Sequence, residues 1–166
     1  AQGRSALRIV PFDPALREHF YRLNEAWLRT YFYVEEIDHR VLSNPETEIL
    51  RSGGAILFAM LGDEVIGTCA LLHESDGVYE LTKMAVDEQR QGLGIGRALM
   101  EAAIAEFRQR RGRRLFLETN SKLTPALRLY ESMGFEHQPS IKPDSHYDRA
   151  NVYMVWHDPQ GAPPVP

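Results

Sequence analysis

A cluster of glycines, Gln91-Gly92-Leu93-Gly94-Ile95-Gly96-Arg97-Ala98, joins an apolar segment ending at Val86 to a long amphipathic one, and this junction constrains the fold most. After it, Ile95, Leu99, Ala102, Ala103 and Phe107 recur at three- and four-residue steps, which predicts a helix over 94–111 with one face buried. Gly112 then suits the residue just past the helix end, and Arg108, Arg110 and Arg111 complement its negative pole. A strand that feeds a helix through glycines gathers turn N–H groups, orphan helix donors and the positive helix end at one point. Such a point can cradle a phosphate or pyrophosphate. Taken alone, the glycines read equally well as punctuation that merely starts a helix. A Walker A loop is excluded because no Gly-Lys-Ser/Thr is present. A dinucleotide fingerprint is excluded because its last glycine would fall on Arg97 or Leu99.

The remaining pattern describes a single α/β (α+β) domain. Leu7–Val10 is a short apolar strand, and Leu16, Phe20, Leu23, Trp27, Leu28 and Tyr31 form a helical stripe started by Asp13-Pro14. A second short helix covers 35–42 and stops near Asn44-Pro45. The period then changes. Ala55–Leu61, Val65–Leu72 and Val78–Val86 read as an antiparallel meander with turns at Gly62-Asp63-Glu64 and Ser75-Asp76-Gly77. Leu115–Thr119 is a strand made parallel to its predecessor by the right-handed crossover helix. A helix over 125–133 ends at Gly134, and two final strands lie at 135–137 and 152–156. The order is βααβββαβαββ, placing the domain at 1–157. The tail 158–166, with four prolines and one glycine in nine residues, is expected to be disordered.

Composition narrows the function classes. The chain has 166 residues and a net charge of −4, without the basic footprint of a nucleic-acid binder. No apolar run reaches the roughly 18–20 residues of a membrane span, and no secretory leader pattern is present, so the expected location is cytoplasmic. The lone Cys69 reads as a small buried hydrophobe. The six histidines lack ligand spacing, so no metal is expected.

Leu81-Thr82-Lys83-Met84-Ala85-Val86 followed by Gln91, Gly94 and Gly96 resembles motif A of the GNAT superfamily of N-acetyltransferases. Glu118-Thr119-Asn120-Ser121 and then Leu129-Tyr130-Glu131-Ser132-Met133-Gly134-Phe135 resembles that superfamily's second motif. The resemblance spans about 7–156 and implies a mixed, mostly antiparallel sheet of about seven strands flanked by about four helices. It implies a parallel strand pair splayed at the cofactor site, acetyl-CoA as cofactor and a primary amine as acceptor. It further implies that N–H groups of Gln91, Gly92, Leu93, Gly94, Ile95, Gly96, Arg97 and Ala98 hold the pyrophosphate of coenzyme A. Met84, Ala85 and Val86 would bind the pantetheine arm, with one backbone N–H there as an oxyanion donor. Asn120, Ala126 and Tyr130 complete the implied cofactor set, and Tyr130 is the implied acid at the departing sulfur. Asn120 also reads simply as the residue of an Asx turn.

The attacking amine has to be neutral, which calls for a carboxylate base. The resemblance implies that Glu80, six residues before Val86, falls at the base position of the family's histone-acetylating branch, and Glu118 on the next strand competes with it. Uninterrupted alternation would put Glu80, Thr82, Met84 and Val86 on one face, whereas the resemblance implies a bulge in this strand. For the acceptor, Trp27, Tyr31, Phe32 and Tyr33 stand beside Glu35, Glu36 and Asp38, a combination suited to a cation but equally to core with an acidic end. Arg149 suits an acceptor carboxylate. Three functions remain open: small-molecule N-acetyltransferase by direct attack, a non-catalytic acetyl-CoA-binding module, or a protein N-terminal or lysine acetyltransferase. A homodimer is left open as well.

Overall fold

A computed structural model describes residues 6–90, 92–145 and 147–157. Gln91, His146 and the 158–166 tail lie outside the described residues. The chain runs β1 (Leu7–Pro11), α1 (Arg17–Tyr31), α2 (Glu36–Ser43), β2 (Ala55–Leu61), β3 (Glu64–Ser75), β4 (Val78–Val86), α3 (Ile95–Gln109), β5 (Arg114–Thr119), α4 (Thr124–Ser132), β6 (Phe135–His137) and β7 (Val152–Trp156). The element order is the one the sequence pattern predicts. Short helical turns at Pro14–Leu16, Glu46–Leu50 and Glu88–Arg90 are additions that the hydrophobic period does not mark.

The seven strands form one sheet in the order β1-β2-β3-β4-β5-β7-β6. Only β4 and β5 pair in parallel; the other neighbours are antiparallel. The β3–β4 hairpin turns on Asp76-Gly77, with Gly77 at φ +73°, a left-handed conformation that favours glycine. Each sheet face has its own core. Ile66, Leu99, Met100, Leu115 and Met154 are buried on the face covered by α3, against which α4 packs Leu127 and Leu129. Phe20, Leu42, Ile49, Ile56 and Phe58 are buried on the face covered by α1 and α2. No described helix is long and apolar enough to cross a membrane.

The end of α3 corrects one expectation. The left-handed residue is Arg111 (φ +55°), not Gly112. Arg111 N–H donates to the Arg108 carbonyl and Gly112 N–H to the Phe107 carbonyl, both 3.0 Å, which is a Schellman closure with Arg111 at C′. Gly112 is needed for space, since a Cβ there would lie 2.1 Å from the Phe107 ring.

Candidate active site

The parallel pair is where the sheet opens. β4 and β5 stay in register only through Val78–Arg114, Tyr79–Leu115 and Glu80–Phe116. Beyond Glu80, β4 remains paired with β3 and β5 with β7. The two strands therefore part in mid-sheet, and a cleft of about 660 Å³ opens beside the end of β4, lined by Met84, Val86, Gly94, Gly96, Ala126 and Tyr130 among others.

A bulge on β4 decides what faces this cleft. Thr82 pairs with Ala70 and Ala85 with Thr68, so Lys83 and Met84 together stand opposite Cys69. Lys83 takes φ +55° to make the extra step. The bulge reverses the alternation. Met84 and Val86 join Tyr79 and Leu81 on the α3 face, and Ala85 falls into the α1/α2 core. The expectation for an unbroken strand, with Glu80 and Met84 on one face, is thereby corrected. Glu80 pairs with Leu72, which packs in the α1/α2 core, and lines a second, smaller cavity of about 90 Å³.

The glycine junction forms one wall of the cleft. Gly92 (φ +86°) and Gly94 (φ +73°) have left-handed backbones, with open space where a Cβ would project. At Gly96 a Cβ would press within 3.3 Å of Leu129 Cδ2, so glycine lets α3 approach α4 closely. The first bond inside α3 runs from Ala98 N–H to the Gly94 carbonyl (3.0 Å). Ala98 N–H is thus engaged, whereas Ile95, Gly96 and Arg97 carry N–H groups without intrahelical acceptors. Leu93 points outward, 60% exposed.

Lys83 is a residue that the sequence reading did not single out. Its Nζ donates to Asp38 Oδ1 (3.1 Å) and to the Tyr147 hydroxyl (2.7 Å), with its side chain only 5% exposed. Arg149 Nη1 donates to Asp38 Oδ2 (2.7 Å) and Glu35 Oε2 (2.8 Å), and Nη2 to Asp38 Oδ1 (2.8 Å). The Glu35 N–H adds a fourth hydrogen bond to Asp38 at 3.0 Å. Burial alone would raise the Asp38 carboxyl, but the Arg149 hydrogen bonds, the Lys83 charge and the Glu35 N–H hold it below the usual carboxylate range. One buried carboxylate therefore ties α2, the β4 bulge and the β6–β7 loop together. The usable signal in sequence was a lysine inside a central strand, where a buried charge has to find a partner.

The carboxyls of Glu80 and Glu118 line the smaller cavity and, among the described residues, have no hydrogen-bond partner. Burial and then the Glu118 charge push Glu80 up to about 8. Tyr130 lines both cavities, as do Trp27, Met84 and Leu123, so these four form the partition between them. Burial pushes the Tyr130 phenol up to about 12. Asn120 lines the smaller cavity while closing an Asx turn: its Oδ1 accepts from Lys122 N–H (3.0 Å), and its Nδ2 donates to the Arg149 carbonyl (2.7 Å). The end of α1 spans the opening. The Tyr31 hydroxyl donates to Glu88 on the β4 side (3.1 Å), and the Tyr31 carbonyl accepts from Lys122 on the β5 side (2.7 Å). Tyr33 is 58% exposed and lines neither cavity.

Residues 16–135 match the family model described as Acetyltransferase (GNAT) family. A mycothiol acetyltransferase from Acidothermus cellulolyticus is 40% identical over 65 residues, covering 39% of this chain and 20% of that protein. The human N-acetylaspartate synthetase is 31% identical over 139 residues, covering 82% of this chain and 45% of that protein. The chain thus spans less than half the length of these curated relatives. A GNAT-family acetyltransferase structure from Staphylococcus aureus Mu50 superposes with a TM-score of 0.81 at 22% identity, covering 91% of this chain and 98% of that one. A Salmonella typhimurium structure solved with its cofactor acetyl-CoA superposes with a TM-score of 0.73 at 20% identity, covering 96% of this chain and 98% of that one.

Proposed function

This chain belongs to the acetyltransferase (GNAT) family, and from that premise we propose that it moves an acetyl group from acetyl-CoA to the primary amine of a small molecule by direct attack within a ternary complex. The observation that carries the proposal is the parting of β4 and β5 after Glu80, beside glycine-shaped helix donors and opposite Tyr130. The names of the curated relatives, for mycothiol and N-acetylaspartate, favour a small acceptor.

The donor set fits coenzyme A. The free N–H groups of Ile95, Gly96 and Arg97 and the positive end of α3 suit a pyrophosphate, and the left-handed Gly92 and Gly94 keep its approach clear of side chains. When bound, acetyl-CoA supplies a thioester: one C–N bond forms, one C–S bond breaks, and an ammonium acceptor releases one net proton. The chain's own residues do the rest. The bulge turns the backbone around Met84 into the cleft as the candidate N–H donor to a carbonyl oxygen gaining charge. Glu80, once ionised, removes a proton from the acceptor ammonium, and Glu118 is the adjacent countercharge. Tyr130 remains a protonated phenol and donates a hydrogen bond to the departing sulfur. Complete proton transfer from a group near 12 to a thiolate of ordinary pKa, about 8.5, would run uphill. Trp27 lines both cavities and Tyr31 the larger cleft, which makes them aromatic residues beside the acceptor's approach.

The test is release of coenzyme A thiol from acetyl-CoA against a panel of amines, with mass spectrometry of the acetylated product. Amine-dependent release supports the proposal. Tight acetyl-CoA binding with no release in the presence of any amine or peptide would leave a non-catalytic module.

A further inference from the structure

We infer that the acceptor is a compact cationic amine whose amine-bearing end carries no carboxylate. The inference rests on the acetyl-transfer reading and concerns the smaller cavity.

Charge comes first. Two cations line this cavity, Lys83 and Arg149, and both are already engaged by acids of the chain itself. The guanidinium fork of Arg149 is closed on Asp38 and Glu35, and Lys83 is held between Asp38 and Tyr147. Lys122 lines the larger cleft instead, where it donates to the Tyr31 carbonyl. Among the described residues, then, no uncommitted cation lines the cavity to receive an acceptor carboxylate. The groups without a hydrogen-bond partner have the opposite sign, although the Lys83 and Lys142 charges act on Glu80 from nearby. Glu80 is 8% exposed, lines the cavity and has no hydrogen-bond partner among the described residues; Glu118 lines the same cavity on the adjacent strand. A carboxylate brought here would be buried against like charge without a partner, whereas an ammonium would satisfy both glutamates.

Size points the same way. The cavity holds about 90 Å³, below the roughly 150 Å³ that accommodates benzene. That suits an amine on a slim, unbranched carbon. An α-amino acid presents its amine on a branched carbon beside a carboxylate, and fails on both counts.

The experiment compares matched pairs that differ only in the carboxylate, pentylamine with norleucine and butylamine with norvaline, and includes aspartate. Thiol release is read at saturating acetyl-CoA and about pH 9, where Glu80 is ionised. The expected result is kcat/KM higher for each decarboxylated member by roughly a hundredfold. The variant E118Q should narrow that ratio while its acetyl-CoA affinity, measured by calorimetry, stays unchanged. Equal or faster turnover of the amino acids, or a ratio unmoved by E118Q, overturns the acceptor assignment and leaves the acetyl-transfer reading intact. Release with no member of this panel while other amines or peptides are acetylated also overturns the acceptor assignment, whereas bound acetyl-CoA with no release for any amine or peptide removes the acetyl-transfer reading itself.

Discussion

Lys83 Nζ lies 3.1 Å from Asp38 Oδ1, and the carboxylate is fully buried. The pair joins the residue that makes the β4 bulge to the first turn of α2, and Arg149 extends it to the β6–β7 loop. The geometry at the mouth of the sheet is thus held by charge as well as by strand pairing. Removing one partner of such a pair strands the other, at a cost of about 3–5 kcal/mol. Asp38→Asn should cost more than Lys83→Met, because it leaves two buried cations facing one remaining carboxylate. Denaturant unfolding of the two variants measures the order.

Among the described residues, two other than glycine have left-handed backbones, Lys83 and Arg111, both at φ +55°. Arg111 is exposed at the end of α3, so Arg111→Gly should relieve strain and stabilise the fold by about 0.5–1 kcal/mol. Lys83→Gly relieves the same torsion but deletes the anchor to Asp38, and should destabilise. Thermal melts of the two glycine variants should shift in opposite directions.

Glu80 gives a pH signature with a definite sign. Its carboxyl sits at about 8 in the folded chain, against an ordinary 4.5 when unfolded. Between those values the folded state holds the extra proton, so this group's contribution to stability falls as pH rises from 4.5 to 8 and is flat above. Glu80→Gln removes that slope. The variant should gain on the parent between pH 5 and pH 8 in denaturant titrations. If Glu80 is the base, kcat/KM of the parent falls as pH drops through about 8, and Glu80→Gln abolishes that limb. Transfer of the limb to Glu118→Gln would move the assignment.

Tyr130 should act on turnover and not on capture. Tyr130→Phe should lower kcat about a hundredfold with acetyl-CoA affinity little changed. Because burial holds the phenol near 12, the parent should show no loss of rate from Tyr130 ionisation at pH 10. An unchanged kcat in the phenylalanine variant would remove the donor role.

The architecture was largely legible because it rests on local signals. Apolar period separates the α1 stripe from the alternating strands, and turns such as Asp76-Gly77 mark the hairpins. Facing at the site was not legible by alternation, since the extra residue at Lys83–Met84 leaves no mark in the hydrophobic period. The acidic group near Asp38 read as a feature for a cationic acceptor. In the structure Glu35 and Asp38 are neutralised by Arg149 and Lys83, and Glu80 and Glu118 are the acids left facing the cavity. Those pairings join residues 45 to 114 positions apart, beyond the reach of any local pattern.

Acetyl transfer by direct attack needs two spaces filled at once, a thioester in the larger cleft and an amine in the smaller cavity, with Tyr130 and Trp27 between them. Initial rates with both substrates varied test this most directly. Direct attack predicts intersecting double-reciprocal lines and no acetylated protein in intact-mass spectra. Parallel lines, with an acetyl group on the chain after exposure to acetyl-CoA alone, would contradict it.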